Sequence, residues 1–361
     1  MPETLAPHVT PQVDVVIAVH DERRPIERAV ASVLQGAVRR VRVTVVAHGL
    51  GVEAVRSRLG GLADDERVRV VPFVDGVRSP AGPFNHGLDL ATAPFTSVMG
   101  SDDVLEPGAV DAWLALAERE SADVVLARVR HEDGRPVRTP PTRLGRTRGL
   151  DGVRDRLAYR SAPLGLVSRA KFGALRFTTG VAVGEDIEYV NSMWFSGARL
   201  VLARGPAYVV MADVSGRVTG AARPVSDEFS FLQDALSGLR KRDEAVLNAY
   251  GTKFLRVQVF GAVHNRPDPD RWSSGEREEL ASVCRTVLAL APRAAAPLAR
   301  ADRSLLDAVL DPSVPVEALL DRSVARRRFG RPATLVPRDL RRVLHREAPL
   351  RFMVASVAAG R

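Results

Sequence analysis

Val13-Asp14-Val15-Val16-Ile17-Ala18-Val19 is a short, almost wholly apolar run near the start of the chain. A run this short and this apolar reads as a parallel strand covered on both faces. Polar His20-Asp21-Glu22-Arg23-Arg24 closes it, and Pro25 opens a helix through Ile26, Ala29, Val30, Val33 and Leu34, with Gly36 past its end. The same unit then recurs. Residues 41–46 predict a second strand, ended by Gly49 and Gly51, and residues 52–62 a helix. Residues 68–71 predict a third strand. A loop with Pro80, Gly82 and Pro83 follows, then a short helix over 88–91 and a fourth strand over 96–99. Pro107 starts a helix carrying Val110, Trp113, Leu114 and Leu116. Strand and helix in alternation predict an α/β fold, a mostly parallel sheet sandwiched by helices with right-handed crossovers.

Further strands are expected over 123–129, 198–202 and 207–211, with an Arg-, Pro- and Gly-rich surface loop over 131–150. The pattern changes near Pro224. Beyond it strands are scarce and apolar residues take helical spacing: Phe229, Leu232, Leu236, Leu239, then Leu280, Val283, Val287, Leu290. Two domains are expected: an α/β domain over 1–220 and an all-α C-terminal domain over 221–361 ending in a basic tail.

A chain of 361 residues with 45% hydrophobic and 26% charged residues is long enough for a sizeable core. No apolar run approaches the roughly 18 residues needed to span a bilayer. The start lacks a basic region followed by an apolar core, so no secretory signal is expected there. One cysteine, Cys284, excludes an internal disulfide and Cys-based zinc sites. The cytoplasm is the expected compartment, with peripheral contact at the inner face of a membrane through the tail. Of the net charge of +9, residues 1–220 carry +2 and residues 221–361 carry +7. From Arg322 onward 11 arginines face only Asp339 and Glu347. Such a surplus suits an anionic membrane surface or polymer; Arg abundance throughout the chain explains it equally well. Few aromatics accompany the basic residues, which disfavours nucleic acid.

Two acidic clusters carry the chemistry. Ser101-Asp102-Asp103 ends the fourth strand, and Gly184-Glu185-Asp186 follows later. Adjacent carboxylates repel and resist desolvation, so a pair at a strand end needs a cation or a proton-transfer task. In an open parallel sheet, ligands bind at the carboxyl ends of the strands. The ends at 18–22, 47–49, 83–87 and 100–103 should therefore surround one site. An Asp pair there can hold a hard divalent cation, Mn2+ or Mg2+, whose remaining shell is phosphate oxygen and water. Asp186 suits a general base, with Glu185 orienting the loop. Helix capping is the other reading of both clusters. No Gly-Lys-Ser/Thr phosphate loop occurs, which disfavours a P-loop enzyme.

Val15-Val-Ile-Ala-Val-His-Asp-Glu22, Asn85-His-Gly-Leu88, Ser101-Asp-Asp-Val-Leu-Glu-Pro107 and Gly184-Glu-Asp-Ile-Glu188, in this order, resemble family 2 glycosyltransferases of the GT-A fold. The resemblance covers about residues 12–220. It implies transfer of a sugar from a nucleotide diphosphate, UDP favoured, with inversion at the anomeric carbon. It places Ala18, Val19, His20, Glu22, His48, Asn85, Ser101 and Asp102 at the nucleotide sugar. Asp103 would bind the metal, with Asp102 and Asp213 as further candidates, and Asp186 would be the base. Arg169 and Gly165 are candidates for acceptor contact. The acceptor would be a glycan, a lipid-linked glycan or an anionic cell-envelope polymer. The family usually has Pro-x-Tyr-Asn where this chain has Ala18-Val19-His20-Asp21, and an acid at the end of strand two where this chain has Ala47-His48. Gly100 stands where an Asp commonly opens the acidic string, and Phe84 where an Arg precedes the Asn. No Gln-x-x-Arg-Trp motif occurs, so a non-processive enzyme is expected. A binding protein that has lost catalysis, with Gly100 and Ala47 in its favour, and a nucleotidyltransferase are the alternative classes.

Overall fold

A computed structural model describes residues 10–137, 142–212 and 223–359. Its main sheet is built on β1 (Val13–Val19), β2 (Val41–His48), β3 (Val68–Phe73) and β4 (Phe95–Gly100), which are mutually parallel. The two-residue β5 (Val104–Leu105) leaves that sheet at once. β6 (Val124–Leu126), β7 (Val129–His131), β8 (Gly165–Ser168), β9 (Leu200–Leu202) and β10 (Tyr208–Val210) complete the strands among the described residues. The seven-stranded sheet has the order β3-β2-β1-β4-β8-β6-β9, and β5-β10-β7 form a second, three-stranded sheet. β8 runs antiparallel to both its neighbours and is the one reversed strand of the large sheet.

The four amino-terminal strands form as the apolar runs predict, and β1 at their centre is buried along nearly its whole length. Its one acid, Asp14, is fully buried. It accepts from Arg42 at 2.6 and 2.9 Å and from the Thr92 and Ala93 amides at 2.7 and 2.8 Å, which offsets the cost of desolvating it. The expected single strand over 123–129 is instead two strands in two different sheets. The break at Ala127-Arg128 lets β7 swing out to pair with β10. β5 and β8 are too short to show a period, and the sequence reading did not place them.

Helices cover both faces. The helices Ile26–Leu34 and Ala109–Glu120 share one core with Val15, Ile17, Val43 and Val45. The opposite core begins at Val16, Val46 and Val98 and runs without a break through the helix Ile187–Trp194 into Leu232, Phe254, Leu280, Leu305 and Leu319. The helical region beyond Pro224 therefore shares the core of one sheet face. Cys284 is buried in that core, and burial pushes its thiol well above the ordinary range, as a structural thiol requires.

Candidate active site

Register brings the strand ends together. Ala18 pairs with Gly100, Val19 with Ala47 and His48 with Phe73, so the four parallel strands finish along one edge. At that edge Val19 is buried, whereas His20 and Glu22 are exposed. Partial burial of its ring, and then Arg24, lowers the pKa of His20. His48 bonds through Nε2 to Asp75 Oδ1 at 2.8 Å. Asp75 also accepts the Val77 amide at 2.9 Å, and these contacts hold its carboxyl below the usual range. An acid thus does stand at the end of strand two, supplied by the chain just after β3. The sequence around Ala47-His48 does not reveal it, because Asp75 stands 27 positions further on.

The two aspartates after β4 are held differently. Asp102 pairs with the Arg24 guanidinium, and Arg28 Nη2 donates to its backbone oxygen at 2.9 Å. The turn after β1 thus supplies the cation that neutralises its carboxylate, and the first turn of the helix Ile26–Leu34 supplies a donor to its backbone. Asp103 Oδ2 accepts the Tyr208 hydroxyl at 2.7 Å, and Oδ1 accepts the Met211 amide at 3.1 Å. The same Tyr208 oxygen accepts the Gly100 amide at 3.1 Å. Burial, followed by the Asp103 charge, pushes the Tyr208 hydroxyl far above its ordinary range, so it stays a donor. A Cβ on Gly100 would stand 3.1 Å from both Asp102 Oδ1 and Asp103 Oδ2. The missing side chain at 100 therefore leaves room for both carboxylates. Ser101, which precedes them, is buried.

This donor set limits what a cation can do here. Among the described residues no group of three or more His, Cys, Asp or Glu is gathered as a metal cage. Each Asp103 oxygen accepts one hydrogen bond named above, and a carboxylate has about four acceptor sites. That fits a hard cation which keeps water and substrate phosphates and takes one protein carboxylate. Asp102, already paired with Arg24, fits such a role less well. Asp213 lies outside the described residues.

The third loop and the base loop are joined. The helix Ala81–Asp89 carries Phe84 and Asn85. Asn85 Nδ2 donates to the Phe177 carbonyl at 2.9 Å, and the Phe177 amide donates to Asn85 Oδ1 at 2.8 Å. Both ends of this amide are engaged with backbone, so Asn85 anchors the segment before the base loop. Phe84 lies 5.4 Å from the Phe177 ring, which stacks on Tyr189 at 4.5 Å. Where the family usually has Arg, an aromatic contact ties the same two segments.

The Thr178 amide donates to the Glu185 carbonyl at 2.9 Å and closes the loop that presents the second acidic cluster. Gly184 turns it at φ +80, where a Cβ would collide with Phe231 at 2.6 Å; both the left-handed backbone and the clash demand glycine. Asp186 sits at the start of the helix Ile187–Trp194, yet its side chain makes no capping hydrogen bond. The capping reading of this cluster therefore has no bond behind it. Asp186 is partly exposed, and burial, then the Glu185 charge, pushes its carboxyl up to about 7. Burial likewise raises Glu185.

Lys253, on the helix Glu244–Phe254, opposes that shift and was not singled out from sequence. It is 2% exposed, and its ammonium lies 5.7 Å from the Tyr250 ring. Burial lowers Lys253 to about 8, while Asp186 pulls it back up. The helical region thus reaches the base loop with a cation. The available signal was compositional: Lys171, Lys241 and Lys253 are the three lysines of an arginine-dominated chain.

Arg169 is not brought to this site. It follows β8, whose Ser168 pairs with Phe95 at the start of β4, so it lies at the opposite edge of the sheet. Its guanidinium donates to the Ala93 and Thr92 carbonyls at 2.9 and 3.0 Å, a structural use. Gly165, at the other end of β8, is at the correct edge. It is buried against β6 so closely that a Cβ would meet the Val125 carbonyl at 1.9 Å, so its contact with any ligand is limited to backbone.

Residues 14–175 match the profile described as Glycosyl transferase family 2. No curated protein matches the chain in sequence. Among solved structures, S. aureus TarS 1–349 in complex with UDP-GlcNAc superposes with a TM-score of 0.72 at 15% identity, over 88% of this chain and 91% of that one. The same TarS fragment in complex with UDP gives 0.64 at 15% identity over the same shares. A further TarS structure gives 0.64 at 16% identity, over 88% of this chain and 55% of that one. At such identities the likeness speaks for the fold. The mostly parallel sheet and the helices after Pro224 both fall within it. Residues 14–175 therefore carry the likeness to glycosyl transferase family 2, within a GT-A-like fold that continues into a C-terminal helical region.

Proposed function

We propose that the protein transfers a hexosyl group from a nucleotide diphosphate, UDP favoured, to a hydroxyl of a cell-envelope polymer or lipid-linked glycan. The observation that carries the reading is Asp186, an uncapped, partly exposed carboxyl held at about 7 on a closed loop. A base whose pKa lies near the working pH is best placed to take a proton in the transition state. The acceptor oxygen attacks the anomeric carbon from the face opposite the diphosphate. Its proton passes to Asp186 Oδ, the new C–O bond forms, and the bond to the phosphate oxygen breaks with its electron pair, so the anomeric centre inverts. Glu185 and Lys253 set the charge around the base. His20, Glu22 and the His48–Asp75 pair line the strand edge where the nucleoside would lie. The UDP-GlcNAc held by TarS is in keeping with such a donor.

Asp103 would be the protein ligand of Mn2+ or Mg2+ arriving with the diphosphate, and Tyr208 and the Met211 amide hold it in place. When bound, that cation neutralises charge on the departing diphosphate. Arg24 and Arg28 hold Asp102 so that two carboxylates coexist at one strand end. The chain works in the cytoplasm, and the basic end of the helical region brings it to an anionic surface. The test is hydrolysis of a panel of nucleotide sugars, with and without manganese. Metal-dependent release of the nucleotide diphosphate from one or a few donors is expected. Release from none, with no donor bound, would refute the reading.

A further inference from the structure

Among the described residues, the segment 339–348 and the helix Pro349–Ala359 are anchored through Glu347, Ala348 and Phe352. Phe352 lies 4.4 Å from the Arg156 guanidinium, 5.2 Å from that of Arg256 and edge-on to Tyr159 at 5.6 Å. Buried Glu347 accepts from the Tyr159 hydroxyl at 2.9 Å and from Arg256 at 3.3 Å, and Ala348 beside it is fully buried. Several tail arginines are likewise engaged in holding the fold. Arg326 pairs with Asp302 at 2.9 Å, Arg338 with Asp307, and Arg322 donates to the Ser304 carbonyl at 3.1 Å. The surplus charge of the sequence is therefore only partly free, and what is free is local.

The other side is apolar. Leu340, Leu344 and Val354 are 60, 73 and 63% exposed, and Leu350 and Met353 are exposed as well. Leu350, Met353 and Val354, at i, i+3 and i+4, share one helix face, with Phe352 turned inward. Arg351 Nη1 donates to the Leu344 carbonyl at 3.1 Å, which joins the helix to the turn that carries Leu340 and Leu344. Arg341, Arg342 and Arg351 are exposed between these residues, with Arg342 Nε 3.9 Å from the exposed Asp339 carboxylate. The sequence from 348 to 359 holds no acid. Exposed apolar side chains with three arginines among them, on an element fixed by its far side, suit contact with the headgroup boundary of a membrane.

We propose that this face docks the protein on an anionic lipid bilayer. Leu340, Leu344, Leu350, Met353 and Val354 enter the headgroup boundary, and Arg341, Arg342 and Arg351 meet lipid phosphates. A soluble polyanion would satisfy the arginines but leave the apolar residues in water. A second copy across a two-fold axis would set these arginines against themselves. The proposal is independent of the transfer reaction.

The test is co-sedimentation of the full chain with phosphatidylcholine vesicles, with and without phosphatidylglycerol. Binding is expected only to the anionic vesicles. Arg341→Gln with Arg342→Gln should lower partitioning roughly 25-fold, at about fivefold per surface arginine. Leu344→Ser with Val354→Ser should lower it by at least about tenfold and remove the part that survives 1 M salt, where charges are screened beyond about 3 Å. All four positions are exposed, so thermal melts should match the parent. Unchanged vesicle binding by the serine variant, or full competition by soluble polyphosphate, would overturn the proposal. So would a concentration-dependent dimer that the serine variant abolishes in a protein that ignores vesicles.

Discussion

Lys253→Met separates a residue that tunes the base from one that merely fills the core. Methionine keeps the length and flexibility of lysine and removes the charge. The pKa of Lys253 falls from its ordinary 10.5 to about 8 on burial. A cation whose folded pKa is depressed destabilises the fold wherever it is charged in both states. That cost, on the order of 3 kcal/mol, is complete below pH 8 and vanishes as pH rises towards 10.5. The methionine variant should therefore melt at or above the parent temperature at pH 7, with the difference shrinking in alkali. Its effect on the reaction has the opposite sign. Lys253 stabilises ionised Asp186, so removing it raises the Asp186 pKa above about 7. An opposite charge lowers a carboxyl by about 1–3 units, and the low end applies to a pair that interacts through space. With a rise of about one unit, the ionised fraction at pH 7 falls about fivefold, and the deficit nearly disappears by pH 9. The assay is the pH profile of sugar transfer, with donor affinity beside it. Lys253→Arg should keep the acid limb in place. An equal loss at every pH would refute the tuning argument, as would an unshifted limb in an active methionine variant.

Three further expectations follow from the same contacts. Asp103→Asn should weaken manganese binding in the presence of nucleotide diphosphate and lower turnover with the fold intact; calorimetric titration showing unchanged metal affinity would refute its role. Tyr208→Phe strips a hydrogen bond from Asp103 and leaves the Gly100 amide without its acceptor, a loss of about 1–3 kcal/mol that chemical denaturation can measure, with metal affinity reduced as well. Arg24→Met leaves Asp102 without its guanidinium and should weaken nucleotide-diphosphate binding; addition of Asp102→Asn to that variant should recover part of the loss, as double-mutant coupling requires.

What the sequence made legible was whatever rests on local pattern. Apolar runs of four to seven residues placed β1 to β4 because a buried parallel strand needs no partner residue to be recognised. The acidic clusters were legible because adjacent carboxylates are costly and rarely accidental. Their partners were not. Tyr208 reaches Asp103 across 105 positions, and Arg24 reaches Asp102 across 78, contacts set by strand order and invisible to any window. Asp75 serves the end of strand two from the loop after the neighbouring strand for the same reason. Arg169 was placed by its nearness in sequence to the base loop, but β8 is reversed, so its end points to the wrong edge. Lys253 is hardest of all, since a lysine inside an amphipathic helix reads as a solvated residue until the helix is packed.

The central claim is that Asp186 is the base of a transfer reaction, and Asp186→Asn tests it most directly. Asparagine keeps the size and hydrogen-bonding shape of the side chain and removes its proton affinity. A positioned base contributes about 100- to 10,000-fold to rate. Transfer to the acceptor hydroxyl should therefore fall by at least about two orders of magnitude while donor affinity stays near that of the parent, and Glu185→Gln should be milder. Transfer at the parent rate by Asp186→Asn would contradict the account and return the carboxylate to a structural place at the start of its helix.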